Sequence, residues 1–112
     1  MLSITDVMVT LRQQDDAFYG AIADIIVLHE RKSADYGTPE DAHANIRSSE
    51  RWGIPSWQGA LLRRADKDVR IQQWLRKGAL ANESIEDSML DQAVYAVIAW
   101  AEWKRDHARG YD

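Results

Sequence analysis

The sequence contains no cysteine, only two prolines among its 112 residues, and no long run of apolar side chains. Without cysteines the chain cannot form disulfides or a cysteine-ligated zinc site, so nothing indicates an oxidising compartment. No apolar stretch reaches the roughly 20 residues that a membrane-spanning helix needs, so we expect no membrane insertion. The first residues lack the basic and apolar regions of a signal peptide, and we therefore expect a cytoplasmic location.

Basic residues are too few to give the chain a positive surface. The 14 lysines and arginines stand against 18 acidic residues, and the net charge is −4. This balance argues against general binding of nucleic acid, although a local basic ridge could still meet a single nucleotide. Hydrophobic residues make up 46% of the chain, which is typical of a soluble globular protein, and the length predicts one domain over residues 1–112.

Patterns typical of strands are also missing, because β-branched residues do not alternate with polar residues over any long stretch. Helical periodicity instead predicts an all-α antiparallel bundle of three long helices and one or two short ones. Ser56 is expected to cap one long helix at its N-terminus, and Gly78 is expected to end it. The predicted helices are Ile4 to Leu11, Asp15 or Asp16 to Ala34, Glu40 or Asp41 to Trp52, Trp57 to Arg76, and Asn82 or Glu83 to about His107.

An acidic row stands at the start of the last predicted helix. Glu83, Asp87 and Asp91 are spaced four residues apart, so on a helix they form one stripe beside an apolar surface. A carboxylate in such surroundings needs a cation, a metal ion or several hydrogen-bond donors. One interpretation is that these three residues hold Mg²⁺, which prefers oxygen ligands. The other is structural: the first carboxylates favour the positive end of the helix, and Asp91 pairs with an arginine of the neighbouring helix.

The preceding helix carries the basic residues that face this row in the predicted bundle. Lys67 and Arg70 lie on one side of it, and Asp66 and Arg70 have the spacing of an ion pair within the helix. In one interpretation these residues form a solvated charged surface. In the other they form a basic ridge that binds phosphate oxygens or pairs with the carboxylates of the acidic row. A further element is the segment Lys32 to Gly37, with sequence KSADYG. Lys32 prolongs an apolar helix face, so we expect it to point toward the bundle.

The three charged segments just described, taken together, resemble a bacteriophage family of small all-α proteins described as nucleotide-modification-associated. The motifs that carry the resemblance are K-x-x-D-Y-G, D-K-x-x-R and N-E-S-x-x-D-x-x-x-D-x-x-x-Y, in that order along the chain. Their order is similar to that of MazG-type nucleoside triphosphate pyrophosphohydrolases, which are helical, magnesium-dependent and usually dimers or tetramers. The resemblance implies a MazG-like fold, a homo-oligomer, a host cytoplasmic location and a nucleotide or nucleoside triphosphate as ligand.

Site residues can be assigned on the basis of this resemblance. Asp87 and Asp91 would be catalytic, and together with Glu83 they would hold the metal ion. The residues expected to contact the substrate are Lys32, Asp35, Tyr36, Asp66, Lys67, Arg70 and Tyr95. The chain departs from the MazG pattern in one respect, because no E-x-x-E pair precedes the acidic row and Ser88 stands three residues before Asp91.

That departure keeps an alternative function open, namely a small non-enzymatic phage protein that binds and modulates a host or phage protein. In this interpretation the charged motifs form a structural network of salt bridges, and tryptophans mark the interface. Five tryptophans occur in the chain, all of them after residue 51. They are expected to serve as core and subunit contacts or, where a polar partner is near, to stack on a base.

Overall fold

The computed structural model describes residues 3–7, 16–36, 44–80 and 83–108, and within these ranges the chain is helical without any strand. Four α-helices after residue 15 are given labels here. They are α1 (Asp16–Tyr36), α2 (Ala44–Arg47), α3 (Ser56–Lys77) and α4 (Ile85–Ala108), and a 3₁₀ helix (Ser48–Trp52) follows α2 directly. The all-α prediction is confirmed. No helix of the described residues is long and apolar enough to cross a membrane.

The helix boundaries differ from the predicted ones at several points. The first long helix ends at Tyr36 rather than Ala34, so Asp35 lies inside it. A helical turn covers residues 4–7, while the remainder of the predicted helix to Leu11 falls outside the described residues, as do residues 37–43. The segment predicted as one helix ending at Trp52 is an α-helical turn followed by the 3₁₀ helix.

Both ends of α3 show how its sequence sets the boundaries. Gly78 has φ of +75° and its N–H donates to the carbonyl of Trp74 over 2.7 Å, as predicted for a glycine that ends a helix. The predicted N-cap is wrong, because Pro55 occupies that position and Ser56 is the first helical residue. Ser56 is fully buried, and its hydroxyl donates to Glu102 on α4 over 3.3 Å instead of capping α3.

Helix α1 packs against α4, and helices α3 and α4 form an antiparallel hairpin. The order of the cross-helix contacts shows this arrangement, because the start of α3 meets the end of α4 at Ser56 and Glu102. The C-terminal part of α1 meets the first half of α4 at Lys32 and Asp91. One small core joins the helices, formed by the buried residues Ile46, Ala60, Val94, Ile98 and Ala99 with Ile25, Leu28, Leu61 and Tyr95 packed against them.

The 3₁₀ helix sits close to α3 because of a glycine. A Cβ atom added to Gly59 would lie 2.6 Å from Oγ and 2.9 Å from Cβ of Ser49. Ser49 has little freedom to move, since its hydroxyl donates to the carbonyl of Ile54 over 2.9 Å. Only glycine therefore allows the two elements to approach this closely.

Candidate functional site

The charged residues of the three sequence motifs meet at one end of the α3–α4 hairpin. Lys32 comes from α1, Lys67 and Arg70 come from α3, and Asp91 comes from α4. Glu83 lies two residues before the first residue of α4, so it does not share a helical stripe with Asp87 and Asp91 as predicted. Glu83 and Asp91 nevertheless both form ion pairs with Lys67. We call these five residues the charge cluster.

Asp91 lies at the centre of the charge cluster. Its Oδ1 is 2.8 Å from the ammonium of Lys32, and its Oδ2 is 2.9 Å from the ammonium of Lys67. The side chain of Asp91 is 12% exposed and that of Lys67 is 14% exposed, so water screens this contact only weakly. Each carboxylate oxygen of Asp91 thus accepts a charge-assisted hydrogen bond from a different helix.

Glu83 provides the second acceptor of the charge cluster. Lys67 reaches its Oε1 over 3.4 Å, and the guanidinium of Arg70 donates to its Oε2. The predicted pair between Asp66 and Arg70 is replaced by this longer-range pair, and Asp66 stands exposed on α3 outside the cluster. These contacts hold Glu83, just before α4, against the side of α3.

The pKa values of the clustered groups follow from these contacts. Burial by itself would raise the pKa of Asp91, but hydrogen bonds from Lys32 and Lys67 outweigh it and lower the pKa below its ordinary range. Burial opposes the charge of Lys32, yet the hydrogen bond to Asp91 raises the pKa of Lys32 above its usual value. The pKa of Glu83 is lowered, because the hydrogen bond from Arg70 and the charge of Lys67 outweigh its burial. All three groups are therefore charged at neutral pH.

Tyr95 completes the cluster from the apolar side. It is half-buried one turn after Asp91, and the ammonium of Lys32 lies 5.2 Å from the centre of its ring. This distance is within the range of a cation–π contact. Of the predicted substrate-contacting residues, four come together here: Lys32, Lys67, Arg70 and Tyr95. Asp35 is exposed near the end of α1, and the side chain of Tyr36 lies outside the described residues.

A cleft of about 480 Å³ opens beside the charge cluster, between α1 and α4. Its volume is in the range of small-molecule sites. Asp87 is exposed at this cleft, and its N–H donates to the hydroxyl of Ser84, so Ser84 caps the start of α4. The lining combines apolar, acidic and basic side chains: Asp24, Val27, Leu28, Arg31, Lys32, Glu83, Asp87, Leu90 and Asp91.

The predicted magnesium ligands do not fit a metal site in this arrangement. Mg²⁺ needs carboxylate oxygens that are free to coordinate it. Both oxygens of Asp91 accept lysine ammonium groups, and Glu83 is held by Lys67 and Arg70. Across the described parts of the chain, no three acidic or histidine side chains are grouped as a metal site. The magnesium prediction stays a prediction.

A second buried charge network at the other end of the hairpin was not predicted. Glu102 is 1% exposed, and Arg47 and Arg105 reach it over 3.1 and 2.7 Å. Ser56 adds its hydroxyl. The network ties α2 and the start of α3 to the end of α4. The sequence does contain a signal for this network. Glu102 follows Ile98 by four residues, so helical spacing places its carboxylate on the buried face of α4.

Comparisons of the chain with protein-family models, with curated proteins and with solved structures give no match. The resemblance to the nucleotide-modification-associated phage family therefore stays a prediction that rests on the motifs.

Proposed function

We propose that the chain binds a nucleotide in the cleft between α1 and α4. Support comes from the convergence of three separate sequence motifs in the charge cluster, of which Lys32, Glu83 and Asp91 line this cleft. Lys32, Lys67 and Asp91 come from three different helices and form one hydrogen-bonded unit. Such partly buried ion pairs contribute little net stability, because desolvation offsets much of their attraction. Titratable groups with shifted pKa values at a cleft are typical of functional sites.

The lining of the cleft matches the parts of a nucleotide. Arg31 and Lys32 would hold the phosphate oxygens, since both are cationic donors at the cleft. Asp24 and Asp87 would accept hydrogen bonds from ribose hydroxyls or from base amino groups. The apolar side chains Val27, Leu28 and Leu90 would cover the base. We propose binding alone and assign no hydrolytic step to these residues.

The charge of the cleft should set the number of phosphates that are tolerated. Four of the lining residues are acidic and two are basic. A triphosphate adds more negative charge than a monophosphate and is opposed by these carboxylates. In buffer without divalent cations, a nucleoside monophosphate is therefore expected to bind more tightly than the corresponding triphosphate.

Isothermal titration with ribo- and deoxyribonucleoside mono- and triphosphates, with and without Mg²⁺, tests the proposal. Arg31→Gln removes an exposed cation from the cleft and is expected to weaken binding about tenfold or more, in line with loss of a charge-assisted hydrogen bond. Arg51→Gln makes the same chemical change on the 3₁₀ helix, outside the cleft lining, and should leave binding unchanged. Equal affinity in both variants would place any bound nucleotide elsewhere.

A second candidate function is a non-enzymatic protein that binds a protein partner. Its support is that Glu83 and Asp91 already have their cations within the chain, as a structural network requires. In that case no nucleotide in the panel binds with or without Mg²⁺. The unfolding free energy would still fall when the network is broken, so the titration separates the two candidates.

A further inference from the structure

The outer side of α4 carries an apolar surface that the described helices leave uncovered. On this side of α4, Met89, Trp100 and Trp103 are 56, 57 and 37% exposed. These residues belong to a set spaced alternately four and three residues apart, which we call the α4 seam. The α4 seam consists of Met89, Ala93, Ala96, Trp100, Trp103 and His107. This spacing is that of the contact positions in paired helices.

The two halves of the α4 seam differ in the size of their side chains. Toward the C-terminus the rings of Trp100 and Trp103 stack with centres 5.5 Å apart, and His107 stacks on Trp103 at 3.7 Å. Toward the N-terminus the α4 seam has only the methyl side chains of Ala93 and Ala96 between these rings and Met89. Large and small residues are therefore separated along the helix instead of mixed.

We propose that this surface pairs with the α4 seam of a second copy of the chain, with the two α4 helices antiparallel. A twofold axis near residue 98 would place Trp100 of each copy against Ala96 of the other. Trp103 would then lie against Ala93, so each bulky ring meets a small residue, which is how close-packed interfaces are filled. A parallel pairing would oppose each tryptophan to itself and each alanine to itself, leaving both clashes and voids.

The area involved suits such a dimer. Taking about 250 Å² for a fully exposed tryptophan, Trp100 and Trp103 alone leave roughly 240 Å² uncovered on each chain. Met89 and the flanking residues Ile26 and Val97, which are 54 and 51% exposed, extend this surface. The two copies together approach the roughly 1,200 Å² at which stable interfaces begin. An apolar patch of this size often serves in binding. The pairing does not depend on the proposed nucleotide site.

Analytical ultracentrifugation of the full chain tests the pairing, with twice 12.8 kDa as the expected mass. Trp100→Lys and Ala96→Asp should each weaken self-association about 30-fold or more, since each places a charge in the centre of the α4 seam. Leu75→Lys alters an apolar residue that is 70% exposed on α3 and should leave the mass unchanged. A monomeric wild-type chain would overturn the proposal, as would a dimer that only Leu75→Lys dissociates.

The antiparallel register has its own test in mixtures of variants. When Trp100→Lys and Ala96→Asp chains are mixed, one contact joins the new ammonium to the new carboxylate and the other contact is native, so a heterodimer should form. A second measurement is insensitive to folding defects of charged variants. Because the chain contains no cysteine, Ala93→Cys mixed with Trp103→Cys should cross-link on oxidation, and neither variant alone should. Cross-linking of each variant with itself would show a parallel pairing and overturn the register.

Discussion

Replacing Asp91 with asparagine removes the carboxylate that Lys32 and Lys67 share. The change preserves the size of the side chain but leaves two ammonium groups next to a neutral amide. Lys67 retains Glu83 at 3.4 Å, and Lys32 is 30% exposed, so water can solvate part of the freed charge. The loss should therefore fall below the 3–5 kcal/mol typical of a fully buried pair, and we expect about 2 kcal/mol.

Urea unfolding followed by circular dichroism measures this loss. A loss of about 2 kcal/mol in a chain of this length corresponds to a fall in melting temperature of roughly 8 °C. Asp87→Asn is the matched control, because it makes the same change one helical turn earlier at an exposed residue. It should cost only about 0.5 kcal/mol, through the lost interaction with the start of α4. Equal losses in the two variants would contradict the shared pairing of Asp91 with Lys32 and Lys67.

Three further predictions concern stability. Glu102→Gln should destabilise the chain by about 2–3 kcal/mol in urea unfolding, because it leaves Arg47 and Arg105, each 27% exposed, around a buried neutral group; a loss below 1 kcal/mol would contradict this. Gly59→Ala should lower the free energy of unfolding by about 1–3 kcal/mol through overpacking. Gly20→Ala, with open space around the added Cβ, should raise it by about 0.5–1 kcal/mol. A stabilising Gly59→Ala would show that the 3₁₀ helix does not pack tightly against α3. The lowered pKa of Asp91 gives stability that is present above the ordinary carboxyl pKa and lost as the pH falls through its folded value. The raised pKa of Lys32 gives stability that is present below 10.5 and lost as the pH rises through its higher folded value. The urea midpoint should thus stay level between about pH 5 and 9 and fall on either side, and Asp91→Asn should flatten the acid side.

Local sequence signals were sufficient for the helices and for much of the charge cluster. Periodicity gave the long helices to within two or three residues, and Gly78 ends α3 as predicted. The contact of Lys32 with Asp91 confirms the expectation that Lys32 points into the bundle. This could be predicted because spacing alone determines on which face of a helix a residue lies.

Features that depend on how separate segments meet could not be predicted in the same way. Arg70 has a partner in its own helix by spacing, Asp66, yet it pairs with Glu83 because the loop before α4 folds back on α3. Helical spacing showed that α4 has an apolar surface beside the acidic row. It could not show that the α1 and α3 helices of one chain leave the surface at Trp100 uncovered.

A two-dimensional amide NMR titration of the labelled chain with nucleoside monophosphates tests the proposed binding site. Resonance shifts should concentrate at residues 24–32 and 83–91, which border the cleft, and should be small at residues 97–107. Arg31→Gln, but not Arg51→Gln, should raise the ligand concentration at which the shifts reach half of their maximum. Shifts confined to residues 97–107, or no shift at millimolar ligand, would contradict the proposed site.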